Sequence, residues 1–280
     1  MSAPEAVSEA VREPVSEPGS EPVPEPVREP VSPTAADLLA AARARTPARI
    51  FVGRAGTSYR TADLLALRAD HAAARDAVDA ALDLDSPALA ALTEAYGLFA
   101  VDSAAPDRGT YLRRPDLGRR LSAAARDEVA ARCPPGADLQ VVIGDGLSAT
   151  AVDAQLPALL PVLLDGARER GWSVGQGFAV RQCRVGILND VGALLDADAV
   201  VLLVGERPGL ATARSLSAYL AWRPRPGHTD AERNLVSNIH DRGTPPAAAV
   251  ARVLRLVEAM RAAGHSGFAL KEPDPPPALT

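Results

Sequence analysis

The segment VVLLV at 200–204 is apolar without a break and stops at the turn Gly205-Glu206-Arg207-Pro208-Gly209. A strand with one wet face alternates apolar and polar residues, whereas a strand covered on both faces does not. Two other segments, LQVVIGDGLS (139–148) and GFAVRQCRVG (177–186), have the same form of a strand ending on a glycine or charged turn, as does the whole of 198–210. Helix-length stretches separate them, Leu147 to about Arg170 and then LNDVGALLDA. Strands alternating with helices give βαβ units and a parallel sheet. The expected fold class is therefore α/β: a mainly parallel, Rossmann-like sheet sandwiched by helices. The turns after its strands share one rim, and ligands of open parallel sheets bind along that rim.

The flanking sequence differs in kind. Residues 1–33 carry a proline every two to four positions from Glu13 onward, a Pro/Glu-rich pattern that favours extended backbone and cannot build a core. A disordered tail is expected there, either a spacer or a targeting or partner-docking segment, with EAVSEAVR (5–12) as its one short helical stretch. Residues 34–105 are expected to form a small, mostly helical N-terminal domain. Thr34 and Asp37 make a capping-box pattern before LLAAARA, ARIFVG (48–53) is strand-like, and Thr61 stands at the cap of a helix over 62–82. Residues 86–97 repeat the helical pattern, and LFAVD (98–102) reads as a strand. An α/β domain is expected over 106–271 and a loose C-terminal tail over 272–280. Within the first of these, APDRGTYLRRPDLGRRL is dense in arginine, with Pro115 placed to start a helix running to about Cys133. Such a segment binds an anionic ligand or partner chain, or else forms a solvated ion-pair network.

Composition excludes several classes of function. The net charge of −5 and the 4% aromatic content offer neither a basic field nor a stacking platform, so no nucleic-acid partner is expected. No apolar run approaches the ~20 residues of a membrane span, and no membrane partner or leader is expected; the two cysteines, Cys133 and Cys183, suit the reducing cytoplasm. GxGxxG, GxxxxGK[ST] and GxSxG are all missing, which removes a dinucleotide fingerprint, a P-loop and a hydrolase elbow at Ser148. Gly144-Asp145-Gly146 reads as a tight turn into a helix whose first amides can receive a polar group. His71, His228, His240 and His265 lack metal-ligand spacing, and no metal site is expected. Asn238-Ile239-His240-Asp241-Arg242-Gly243 is one residue away from D-x-H-x-x-G, a signature of corrinoid domains in which histidine ligates cobalt. Asparagine replaces the aspartate that fixes such a histidine's tautomer, and no preceding strand is read, so the match is taken as chance.

The strings GRAGTSYRTADLL (53–65), DRGTYLRRPDLGRRL (107–121), VVIGDGLSATAV (141–152), LLVGERPGL with SLSAYL (202–220) and TDAERNLVSNIHDRGTPPAAA (229–249) resemble the light (small) subunit of ethanolamine ammonia-lyase, in order, over about residues 45–270. The resemblance implies a subunit of an adenosylcobalamin-dependent carbon–nitrogen lyase that converts ethanolamine to acetaldehyde and ammonia by radical chemistry. The large subunit, a barrel, holds substrate and the catalytic groups, so no catalytic residue is expected in this chain. Six copies of each chain assemble, and the small subunit closes over the lower and peripheral parts of the corrinoid. The cofactor's own dimethylbenzimidazole stays on cobalt, which leaves His240 without a ligand role.

The resemblance places cofactor contacts at Val185, Glu206 and Leu235, the last at a position where many relatives carry cysteine. Val185 and Glu206 sit on the rim read from the strand ends. Some relatives enter a bacterial microcompartment by an amphipathic N-terminal extension, which here could involve residues 5–12 alone; a cytoplasmic location is expected. Two other readings stand beside this one: a self-sufficient α/β enzyme using Asp145 and Glu206 as an acid–base pair on a phosphorylated or nucleotide substrate, and a purely structural subunit.

Overall fold

The computed structural model describes residues 33–46, 50–209 and 212–273. The expectations for residues 1–32 and 274–280, and for the first two residues of ARIFVG, lie outside them. Thr34 caps α1 (Ala35–Ala44) with the expected capping box: its side chain accepts from the Asp37 N–H while Asp37 accepts from the Thr34 N–H. Residues 50–53 are not a strand. The glycine turn that follows forms the hairpin β1 (Arg54–Ala55) and β2 (Ser58–Tyr59) around Gly56 at φ 62°. Then come α2 (Thr61–Asp79) and α3 (Ala90–Tyr96). Thr61 opens α2 rather than capping it; the cap position is Arg60, without a side-chain bond.

The remaining elements are β3 (Phe99–Asp102), α4 (Arg108–Arg113), α5 (Ala123–Arg132), β4 (Leu139–Gly144), α6 (Ala149–Glu169), β5 (Phe178–Arg181), α7 (Ile187–Leu195), β6 (Ala199–Gly205), β7 (Leu216–Trp222), β8 (Asn234–Ile239) and α8 (Pro246–Ala263). Pro115 does not start a helix. α4 ends before it, a short 3-10 turn covers Leu117–Arg119, and Ser122 caps α5 through the Ala125 N–H. The α4 start is set instead by Asp107, whose carboxylate accepts from the Thr110 N–H at 2.8 Å.

Six strands form one mixed, mostly parallel sheet in the order β3-β5-β4-β6-β7-β8. β3, β5, β4 and β6 run parallel, while β7 and β8 add an antiparallel extension. The sheet thus begins at Phe99, within the stretch assigned by sequence to the helical N-terminal part. Apolar residues of β4 and β6 alternate between two cores. Val141, Ile143, Val201 and Leu203 pack with α6 and α8, whereas Val142, Val200, Leu202 and Val204 pack with α5 and α7. This two-sided covering is why the runs VVI (141–143) and VVLLV (200–204) are continuously apolar. Pro157 and Pro161 lie inside α6 on its wetter side, where a missing N–H is tolerated because the buried stripe of Leu156, Leu159, Leu160 and Leu163 holds the helix to the sheet.

From β4 the chain crosses through α6 to β5 on one side; from β5 it crosses through α7, on the opposite face, to β6 on the other side. The carboxyl end of β4 is therefore the point at which strand order reverses, the position that leaves a crevice in open α/β sheets.

Candidate functional site

At that point β4 ends in Asp145-Gly146. Gly146 has φ 57° and lies so close to β6 that a Cβ would overlap the Gly205 carbonyl oxygen, so a side chain is excluded on both counts. The Leu147 N–H donates to that same carbonyl at 3.1 Å. Ser148 is not a nucleophile but the α6 cap: its oxygen accepts from Ala151 and its hydroxyl donates to the Ala213 carbonyl at 2.6 Å.

Asp145 is buried, and its two oxygens accept the Gln182 and Cys183 N–H groups, each at 2.8 Å. Gln182 sits at φ 56°, a conformation that a non-glycine residue holds only when its surroundings fix it. Arg108 reaches the same carboxylate at 3.4 Å, the Gly146 carbonyl at 3.1 Å and the Val78 carbonyl at 2.7 Å. Burial pushes the Asp145 carboxyl above its ordinary range, opposed by the two N–H groups and Arg108. The Tyr111 hydroxyl meets the Gly146 and Cys183 carbonyls at 2.7 and 2.9 Å, and the Arg108 and Arg184 guanidiniums lie 4.7 and 4.2 Å from its ring centroid. Burial raises the Tyr111 phenol strongly, so it stays a neutral donor. This cluster ties α2, α4 and the turns after β4 and β5 into one block.

Glu206 follows β6. Ser215 and Ser217, at the start of β7, each donate a hydroxyl to it at 2.6 Å, and the Asn238 N–H at the end of β8 donates at 2.8 Å. Asn238 is at φ 59°, which asparagine tolerates better than most residues. An ionised carboxylate offers about four acceptor positions, so one remains. Neither Asp145 nor Glu206 is a free acid–base group of the kind a self-sufficient enzyme would need.

Val185, Glu206 and Leu235 line one cleft of about 280 Å³, together with Tyr219, Ser217 and Arg184. Leu235 is on β8, the strand at the sheet edge; it faces away from the core at 43% exposure while Val236 beside it is fully buried. Tyr219, opposite Leu235 in the β7–β8 register, is half-buried. Sequence reasoning missed Arg184, Tyr219 and the serine pair, although SLSAYL alternates as an antiparallel strand does and could have signalled them.

The strand thought to be missing before His240 is present as β8, which is a correction to the sequence reading. It does not make His240 a ligand. Nδ1 accepts the Arg242 N–H at 3.2 Å, so Nε2 carries the proton and donates to the Asn238 side-chain oxygen at 2.8 Å. Both ring nitrogens are used in a buried turn. Among the described residues no group of three or more His, Cys, Asp or Glu could hold a metal ion, and no helix is long and apolar enough to cross a membrane.

Residues 36–271 match the model of a family described as ethanolamine ammonia-lyase light chain (EutC). The chain is 46% identical over 232 residues to the ethanolamine ammonia-lyase small subunit of Rhodopseudomonas palustris, covering 82% of this chain and 88% of that one. It is 43% identical over 227 residues to the protein of that name from Fusobacterium nucleatum, covering 81% and 75%. With that of Clostridioides difficile it shares 38% over 240 residues, covering 86% and 80%.

Proposed function

The chain belongs to the ethanolamine ammonia-lyase light-chain family, and from that membership we propose that it is the small subunit of an adenosylcobalamin-dependent lyase and supplies one wall of the corrinoid site beside a large catalytic subunit. The complex converts ethanolamine to acetaldehyde and ammonia. The match over residues 36–271, which takes in the whole rim, is the observation that carries this reading.

The residues on the rim suit such a cofactor. A cleft of about 280 Å³ is too small to enclose a whole corrinoid. It can receive an edge of a macrocycle, and a second chain must cover the rest. Glu206 keeps one acceptor position for a side-chain amide N–H of the ring, held in place beforehand by Ser215, Ser217 and Asn238. Leu235 and Val185 offer apolar surface, and the Asp145 carboxylate fixes the turn that carries Val185. When bound, adenosylcobalamin supplies the radical chemistry. This chain's part is to bind and orient.

We read the Rossmann-like parallel core as the cofactor-facing part and the helical segment ahead of it as partner-facing. α1 buries none of its residues and α2 only Ala77, while Leu38, Leu64, Leu65 and Phe51 are exposed. Exposed apolar residues in such number on one segment suit a subunit contact. An assembly of six small with six large chains in the cytoplasm goes with the same reading. Co-expression with the large subunit, pull-down, and an ammonia-release assay test it. The pair should associate and release ammonia only when adenosylcobalamin is added. Turnover by this chain alone, or failure of the two chains to associate, overturns it.

A further inference from the structure

The arginine-rich segment 107–121 contributes only Tyr111 to the cleft. With the β5–α7 turn it lines a second cavity, of about 750 Å³, that shares Arg184, Val185 and Tyr219 with the first. The carboxylates of its wall are already matched. Arg114 grips Asp116 with two N–H groups at 3.0 and 2.8 Å; Asp190 accepts from Arg126 and from the Leu121 N–H; Asp230 pairs with Arg233. Arg119 and Arg184, by contrast, form no ion pair among the described residues, and Arg120 adds only a weaker attraction to the occupied Asp116. Surplus positive charge therefore gathers here on a chain that is acidic overall.

Two cations also hold unused donors. The Arg233 side chain is 6% exposed, and its Nε has no acceptor; the buried Arg184 Nε has none either. A buried guanidinium N–H without a protein partner is costly, and an acceptor from a bound ligand or an ordered water relieves it. Arg119 is held near the start of α7, since its Cγ would lie 2.8 Å from a Cβ on Gly186. The first turn of that nine-residue helix adds partial positive charge.

We propose that this cavity takes a phosphate ester and, resting on the function proposed above, that the ester is the phosphodiester of the cofactor's nucleotide loop, with Arg119 and Arg184 as its principal ligands. The phosphate lies beside Val185 while the ring edge occupies the neighbouring cleft, so the shared wall reads two parts of one molecule.

The test uses the complex with the large subunit, titrated with adenosylcobalamin and with adenosylcobinamide, which lacks the nucleotide loop and its phosphate; bound corrinoid is read by absorbance after filtration. Arg119→Ala should weaken adenosylcobalamin by about tenfold, the loss of one charge-assisted contact, and leave adenosylcobinamide unchanged. Arg119→Lys should recover part of the loss. Equal losses for both corrinoids, or none for either, overturn the assignment. Inorganic phosphate should compete with adenosylcobalamin on the wild-type complex; phosphate that binds equally well to the cofactor-saturated complex shows a separate anion site and also overturns it. A wild-type complex that binds neither corrinoid overturns the functional reading itself, which separates the two failures.

Discussion

The Glu206 carboxylate accepts the Asn238 N–H at 2.8 Å, joining the end of β6 to the end of β8 across β7. The same Asn238 uses its side-chain oxygen to hold His240. One residue in the left-handed region thus links the carboxylate proposed to touch cofactor with the histidine that proved to be structural.

Glu206→Ala should therefore lower both stability and cofactor affinity. It leaves the buried Ser215 and Ser217 hydroxyls and one N–H without their acceptor, at about 1–3 kcal/mol. Glu206→Gln keeps one oxygen and should lose less. Thermal melting of the chain and cofactor titration of the complex measure the two effects; a variant with unchanged melting and unchanged cofactor affinity removes Glu206 from both roles.

Asp145→Ala should destabilise the chain by about 3–5 kcal/mol, because it strands Arg108, whose Nη2 already lacks a partner, and frees the Gln182–Cys183 turn. Denaturant unfolding checks this. A change below about 1 kcal/mol would mean that water replaces the carboxylate without cost.

At the opposite end of β4, Asp138 accepts from the Ser173 N–H and hydroxyl and from Arg261, which hold its carboxyl at about 2, below the ordinary 3.8. A depressed value stabilises the fold above the unfolded pKa, and the contribution is lost as pH falls through the folded one. Asp138→Asn should cost about 1 kcal/mol at neutral pH after allowance for solvent screening. The difference between wild type and variant should narrow below pH ~4 and close near pH ~2. Cofactor affinity should not change. A pH-independent difference would show that the hydrogen bonds, not the charge, carry the effect.

Deleting residues 1–33 removes nothing from the family-matched stretch 36–271 and leaves the Thr34 cap in place. Turnover and cofactor affinity of the complex should stay within about twofold, since every residue of the rim remains. A tenfold loss would make the tail part of the working assembly.

The sequence determined the local features that depend on near neighbours and burial. The unbroken apolar runs in β4 and β6 required helices on both faces, the Thr34–Asp37 spacing required a cap, and the glycines after β4 and β6 required close turns. Those signals also located the rim bearing Val185 and Glu206. Local signals misled at Pro115, because the Asp107 and Ser122 caps fixed helices on either side of it. Spatial order was decided only by the tertiary structure. β7 and β8 pair beyond β6, and β3 joins the far edge, through hydrogen bonds between residues distant in the chain. That order brings Ser217, Leu235 and Asn238 to Glu206, and Arg119 to Gly186. Periodicity reports which face of an element is buried but not which element covers it, because pairing across long loops depends on the packing of the whole core.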